Sequence, residues 1–228
     1  MGEYDFSIVM PCYNEEEGMP DTVMDVLDNV KGKYELIIVD DGSTDNTLEL
    51  AREFEKKHSH IKVFLQQHNL GKRFAVDTGI KNASCDSIVL IDGDFTYPAK
   101  FINVIVDDFV EGFDMVYGSR FLGKKVNLSG SHKLGNKMFA LIYNVLTFKR
   151  ITDLTSGLRV FNRIRYFVLK LDSPNFGMET ELMMKAFRHN WTFSEVPINL
   201  RKREGESKLS TFKDGFRILF RLFWNRFF

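Results

Sequence analysis

Cysteine is scarce: Cys12 and Cys85 are the only two in 228 residues. That excludes a disulfide framework, and without C-x-x-C spacing it excludes a thiolate zinc site. Five histidines are scattered along the chain with no pair at i, i+4, so the helix-borne histidine metal motif is absent. No basic stretch followed by an apolar core opens the sequence, so no secretory signal is read and the cytoplasm is the expected compartment. Tandem repeats and low-complexity linkers are missing too. Formal net charge is zero, and no nucleic-acid partner is expected.

What is present suits one domain with a C-terminal appendage, because 228 residues can enclose a sizeable core. At 44% hydrophobic residues, the composition is that of a globular protein. The neutral average hides a polarity along the chain. Residues 1–50 carry thirteen acids against Lys31 and Lys33, whereas residues 198–228 carry eight bases against Glu204, Glu206 and Asp214. One end is suited to a cation or a donor, the other to anions.

The first 118 residues alternate apolar runs with helical patterns. Strands are expected at Phe6–Met10, Leu36–Val39, Ile61–Leu65, Ile88–Ile91 and Met115–Tyr117. Helices are expected from Glu15 to about Val30 and over Asp45–His58, Arg73–Asn82 and Pro98–Val110. Such alternation implies right-handed crossovers and an α/β fold with a mostly parallel, helix-covered sheet, whose ligands bind beyond the carboxyl ends of the strands. Further on, helices are read over 132–148 and 179–190 and a strand around 192–198.

Polar clusters stand where that rule wants them. Pro11, Tyr13, Asn14 and Glu15 follow the first strand, Asp40 to Asp45 the second, Asn69, Gly71 and Lys72 the third, and Asp92-Gly93-Asp94 the fourth. Two carboxylates at i and i+2 repel unless a cation separates them, and Mg²⁺ is held through one or two carboxylates plus substrate phosphates. Asp92 and Asp94 therefore suggest a metal–diphosphate site, although Asp-Gly is also a common turn dipeptide. Asp40-Asp41-Gly42-Ser43 reads as a nucleotide site or, equally, as an N-capped turn before a helix.

Taken together, Pro11-Cys12-Tyr13-Asn14-Glu15, Asp40 to Thr47, Asn69-Leu70-Gly71-Lys72 and Asp92-Gly93-Asp94 resemble the family 2 glycosyltransferases. Gly118-Ser119-Arg120, Asp153 to Arg159, Glu179-Thr180-Glu181, Val196-Pro197-Ile198 and Arg203 to Leu209 resemble the polyprenyl-phosphate (dolichyl-phosphate) hexose synthases, over roughly residues 6–209. The resemblance implies a GT-A type, Rossmann-like domain over 1–208, with a nucleotide-binding half at 1–118 and an acceptor half at 119–208. It implies inverting transfer of a sugar from a nucleotide-sugar to a polyprenyl phosphate, with Mg²⁺ or Mn²⁺. Pro11, Tyr13, Glu15, Asp40, Asp41, Lys72 and Asp92 would surround the nucleotide-sugar. Asp94 would be the principal metal ligand with Asp92 close by. Ser119, Arg120, Lys133, Ser156, Arg203, Ser207 and Lys208 would lie near the acceptor phosphate, with Asp153, Ser156 and Gly157 shaping an acceptor loop. Asp94, Arg120 and Arg203 would carry catalysis.

A lipid phosphate is already ionised, so it needs cations rather than a general base. Bringing it to a diphosphate is repulsive by about 1 kcal/mol even in water at 4 Å, and arginine answers with bidentate contacts. Two departures bear on the substrate. Phe95-Thr96-Tyr97-Pro98 stands where mannosyl members show Leu-Gln-His-Pro, which favours a UDP-hexose or UDP-N-acetylhexosamine over GDP-mannose. Ser131-His132-Lys133 replaces a more arginine-rich run. At the C-terminus, Phe212, Phe216, Leu219, Phe220, Phe223 and Phe227 form one apolar stripe beside Lys213, Arg217 and Arg221. Charges interrupt it too often for a spanning helix, so residues 209–228 are expected to lie amphipathically in the interface of the cytoplasmic membrane face. A family 2 enzyme with a sugar hydroxyl acceptor, and a non-enzymatic nucleotide-binding subunit recruited to membrane, are the alternatives.

Overall fold

The computed structural model describes residues 3–123, 130–173, 177–201 and 211–227. Its first part alternates as the pattern requires: β1 (Phe6–Cys12), α1 (Gly18–Asn29), β2 (Tyr34–Asp40), α2 (Thr47–Lys57), β3 (Ile61–Leu65), α3 (Lys72–Lys81), β4 (Ser87–Leu90), α4 (Lys100–Val110) and β5 (Met115–Ser119). Then follow α5 (Gly130–Thr147), β6 (Arg159–Asn162), α6 (Arg163–Val168), α7 (Met178–Arg188), β7 (Phe193–Pro197) and α8 (Thr211–Phe227). The seven strands form one mixed sheet in the order β3-β2-β1-β4-β6-β5-β7. Only β6 runs against its neighbours, antiparallel to both β4 and β5.

Strand periodicity divides the core into two layers. On one face Ile8, Met10, Leu36 and Ile38 pack with Met19, Val23 and Val26 of α1 and with Ile102 and Ile105 of α4. On the other, Val9, Ile37 and Val39 pack with Ala75, Val76 and Ile80 of α3 and with residues of α5, α7 and α8. Both faces are covered, so the central strands read as continuous apolar runs.

Two elements escaped the sequence pattern. β6 is four residues long and carries a fully buried arginine, Arg159, so no run of apolar residues marks it. α6 follows directly, opened by the Asn162 side chain, which accepts from the backbone N–H groups of Ile164 and Arg165. At the C-terminus α8 is amphipathic, but the face it buries against α5 and α7 is Ile218, Leu222 and Asn225. Phe220, Phe223 and Trp224 point outward. Among the described residues no helix is long and apolar enough to cross a membrane.

Candidate active site

The order β2-β1-β4 reverses direction at β1, and the loops after these strands converge at that switch point. The Pro11 loop and the Asp40 loop are laced together. Asn14 N donates to Ser43 Oγ (2.9 Å), Thr44 N to Asn14 Oδ1 (2.8 Å) and Glu15 N to Thr47 Oγ1 (2.8 Å). Gly42, at φ +71°, lets the turn pass against the His68–Asn69 backbone, where any Cβ would collide. Pro11, Tyr13 and Glu15 remain half-buried along this loop.

The two neighbouring aspartates do different work. Asp40 is fully buried, and its Oδ2 accepts from Ser43 N (3.0 Å), whereas its Oδ1 has no partner. A buried carboxylate oxygen lacking a donor is a fit for a base or ribose N–H or O–H. Asp41 uses both oxygens on the backbone, accepting from Leu70 N (2.9 Å) and Gly71 N (2.8 Å). It therefore fixes the loop that leads into α3, and burial pushes its carboxyl up despite those N–H groups.

That loop delivers Lys72, whose Nζ lies 2.6 Å from Asp92 Oδ1 and 2.7 Å from Glu179 Oε1. Burial opposes the ammonium, but the two carboxylates outweigh it and push its pKa up. Glu179, at the first turn of α7, is the partner no spacing announced: 107 residues separate it from Lys72. β4 ends at Leu90, so Asp92 and Asp94 stand on the following turn, not on regular strand. Asp94 is 7% exposed, and its Oδ1 accepts from Thr96 N (3.1 Å).

The donor set suits a hard divalent cation. Among the described residues no group of three or more His, Cys, Asp or Glu forms a complete protein cage. Mg²⁺ does not require one, since one or two carboxylates complete its shell with substrate phosphates and water. Asp94 and Asp92 are the residues that would hold it.

Across from these residues stands a buried ion pair. Arg120 Nε donates to Asp153 Oδ2 and Nη2 to Asp153 Oδ1, both at 2.6 Å. Asp153 is fully buried. Arg120 Nη2 also reaches Thr155 Oγ1 (2.8 Å) and Asn136 Oδ1 of α5 (3.4 Å). The fork is thereby locked in one orientation. Glu195 on β7 accepts from Thr152 N, Thr152 Oγ1 and Asp153 N, which anchors the start of the 152–158 loop. Burial pushes the Glu195 carboxyl up. Arg159 Nη2 donates to the Ser156 carbonyl and holds the far end. Gly157 N donates to Tyr97 Oη (2.7 Å), and a Cβ at Gly157 would strike the Asp92 carboxylate. The turn that carries Asp92 and the 152–158 loop thus touch.

Ser119 and Ser156 are fully buried, and the Ser119 hydroxyl is shared with Thr152 Oγ1 (2.5 Å). Ser119 ties β5 to the start of the loop, whereas Ser156 lies within the loop and its hydroxyl has no hydrogen-bond partner among the described residues. Lys133 is exposed on the first turn of α5. Arg203, Ser207 and Lys208 lie outside the described residues.

A Rossmann-like mixed sheet whose strand ends gather acids beside a locked arginine has the GT-A type of fold. The glycosyl transferase family 2 model matches residues 7–166, and the chain belongs to that family. A dolichyl-phosphate hexose transferase of Haloferax volcanii is 29% identical over 218 residues, covering 94% of this chain and 92% of that protein. The dolichol-phosphate mannosyltransferase of Pyrococcus furiosus is 30% identical over 224 residues, covering 95% and 63%. Among solved structures, glucosyl-3-phosphoglycerate synthase from Mycobacterium tuberculosis superposes with a TM-score of 0.79 at 20% identity, over 97% of this chain and 80% of that one. The same protein has been solved with Mn²⁺, UDP-glucose and phosphoglyceric acid, at a TM-score of 0.78.

Proposed function

We propose that this chain moves a hexose or N-acetylhexosamine from a nucleotide-sugar, a UDP-sugar in preference to GDP-mannose, to a polyprenyl phosphate at a membrane surface. The observation that carries the reading is an apolar row on α5 that begins beside the phosphate-facing arginine. Leu134, Met138, Leu141, Val145 and, just past the helix, Phe148 recur at three- and four-residue spacing and are all exposed, Leu134 at 72% and Phe148 at 91%. Asn136, which touches Arg120, stands on the same first turns. Helix α8 packs on α5, with Arg226 Nε donating to the Leu146 carbonyl (2.9 Å), and adds exposed Phe220, Phe223 and Trp224. Soluble surfaces seldom leave such rows bare, and a helix with this pattern lies in a lipid interface. A phosphate headgroup would then meet Arg120 while its polyprenyl chain follows the apolar side.

Asp40 and the Pro11 loop would hold the nucleoside, and Asp94 with Asp92 would hold Mg²⁺ or Mn²⁺ against the diphosphate. Bound there, the metal would neutralise the departing diphosphate. Lys72 places a second positive charge at the same point, and Arg120 draws in and orients the phosphate nucleophile. The phosphate oxygen attacks the anomeric carbon opposite the leaving group, so configuration inverts. No general base is required. A hydroxyl acceptor would need one, yet Asp92 and Glu179 share Lys72 and Asp153 is bound to Arg120. The UDP lean follows the Thr96-Tyr97 pair and accords with the UDP-glucose complex of the structural relative.

The test is turnover with a panel of UDP- and GDP-sugars, Mn²⁺ or Mg²⁺, and a short polyprenyl phosphate in vesicles. A sugar-phosphate lipid, lost on chelation, is the expected product. Glycosylation of free sugars but never of the lipid phosphate would overturn the reading.

A further inference from the structure

The turn that carries Asp94 is strained. Phe95, immediately after it, sits at φ 59°, in the left-handed region that bulky side chains rarely occupy. Such a conformation persists only where its surroundings over-determine it, and three neighbours do so here. Thr22 Oγ1 of α1 accepts from Phe95 N (2.8 Å) while donating to the Gly18 carbonyl (2.8 Å). Arg201 N donates to the Thr96 carbonyl (3.0 Å). The Arg201 guanidinium lies over the Phe95 ring, 4.2 Å from its centroid.

Arg201 is itself aimed. Its two terminal nitrogens, Nη1 and Nη2, lie 2.7 and 2.8 Å from the Asp25 carboxylate oxygens. Asp25 Oδ2 also accepts from Ala99 N (2.6 Å), so one α1 carboxylate ties the far end of the turn and the arginine that covers its middle. Gly18 completes the seat, because a Cβ there would come within 2.9 Å of the Asp94 backbone. The turn from Asp94 to Ala99 is pressed between α1 and Arg201.

Resting on the reading of Asp94 as a metal ligand, we propose that Arg201 is a positioning residue for the metal site. With Asp25 it clamps the strained Phe95 and thereby sets the direction of the Asp94 carboxylate. Arg201 touches neither donor nor metal in this scheme. It also stands two residues before Arg203 in the sequence, so the chain leading to the basic run is pinned to the metal turn.

The test is Mn²⁺ titration by electron paramagnetic resonance in the presence of UDP, with UDP affinity in chelator measured separately by calorimetry. Arg201→Met and Asp25→Asn are expected to weaken Mn²⁺ binding about tenfold, while UDP affinity without metal stays within about twofold. Arg201→Lys, which keeps the charge but loses the planar fork, should fall between. The telling result is in the Phe95→Asn background. Asparagine tolerates the left-handed conformation, so removing Arg201 there should cost Mn²⁺ affinity no more than about threefold. Equal Mn²⁺ affinity in Arg201→Met and wild type would overturn the proposal, as would a loss of the same size for metal-free UDP. Asp25→Asn and Arg201→Lys decide the matter if Arg201→Met fails to fold. Failure of wild type with UDP to bind Mn²⁺ would instead sink the metal reading itself.

Discussion

The loops after β1, β2 and β3 and the loop at residues 152–158 solve the problem of holding polar groups by different means. Around the nucleotide loops, backbone N–H groups bond to short side chains: Asn14 to Ser43, Glu15 to Thr47, Leu70 and Gly71 to Asp41. The 152–158 loop instead rests on buried charge, with Arg120 against Asp153 and Glu195 bonded to Thr152. Asp41 is held by two of those N–H groups, while Asp40 keeps one oxygen without a donor among the described residues. A locked ion pair keeps a cation oriented before any anion appears, and its removal strands a charge. Altering Asp94 should therefore cost function, and altering Arg120 should cost stability as well.

The largest effect is expected at Arg120. Arg120→Ala leaves Asp153 buried and uncompensated, which should destabilise the fold by about 3–5 kcal/mol. Denaturant melts would show it. Arg52→Ala, which removes the more exposed Arg52–Glu55 pair, should shift the same curve by less than about 1 kcal/mol. Next comes Asp94→Asn, which should lower turnover about 10²–10³-fold, the scale of losing one electrostatic contributor at a reacting centre. Its melting curve should stay near wild type, and a large drop there would erase the contrast between the two halves. Smaller again is the double change Leu141→Ser and Val145→Ser. With about 1 kcal/mol for each partly immersed side chain, binding to anionic vesicles should weaken roughly 30-fold, with the melting curve unmoved.

The smallest expected effect is the dependence of stability on acid. Although burial raises the Asp25 carboxyl, the Arg201 fork and Ala99 N–H outweigh it and hold it below the usual carboxylate range. Ser7, Lys62 and Ser84 N–H likewise overcome burial at Glu35. A carboxyl lowered in the folded state adds stability that is complete above its unfolded value, about pH 4, and is lost as pH falls through the folded one. Thermal midpoints should therefore decline below about pH 4, and less steeply in Asp25→Asn.

Much of this was readable from residue order because parallel strands announce themselves. Leu36–Val39 is an uninterrupted apolar run and Phe6–Met10 is broken only by Ser7, and the acids that follow them mark the rim. The position of Lys72 between Asp92 and Glu179 was not readable, since a contact across 107 residues leaves no local period. β6 stayed hidden because a four-residue strand containing Arg159 resembles a loop. On α8 the aromatic stripe was apparent, but aromatic content does not say which face is buried. Ile218, Leu222 and Asn225 turn inward against α5 and α7, and the phenylalanines at 220 and 223 are left outside.

The reversed direction of β6 has a consequence for how such enzymes can diversify. A segment leading into an antiparallel strand arrives at the same rim as the segments leaving its parallel neighbours, with no extra crossover to build. Residues 152–158 therefore reach that rim directly, held by Glu195 at one end and Arg159 at the other and packed against Asp92. A change of length or sequence there would be felt at Asp92 and Arg120 as well, so the two would have to vary together.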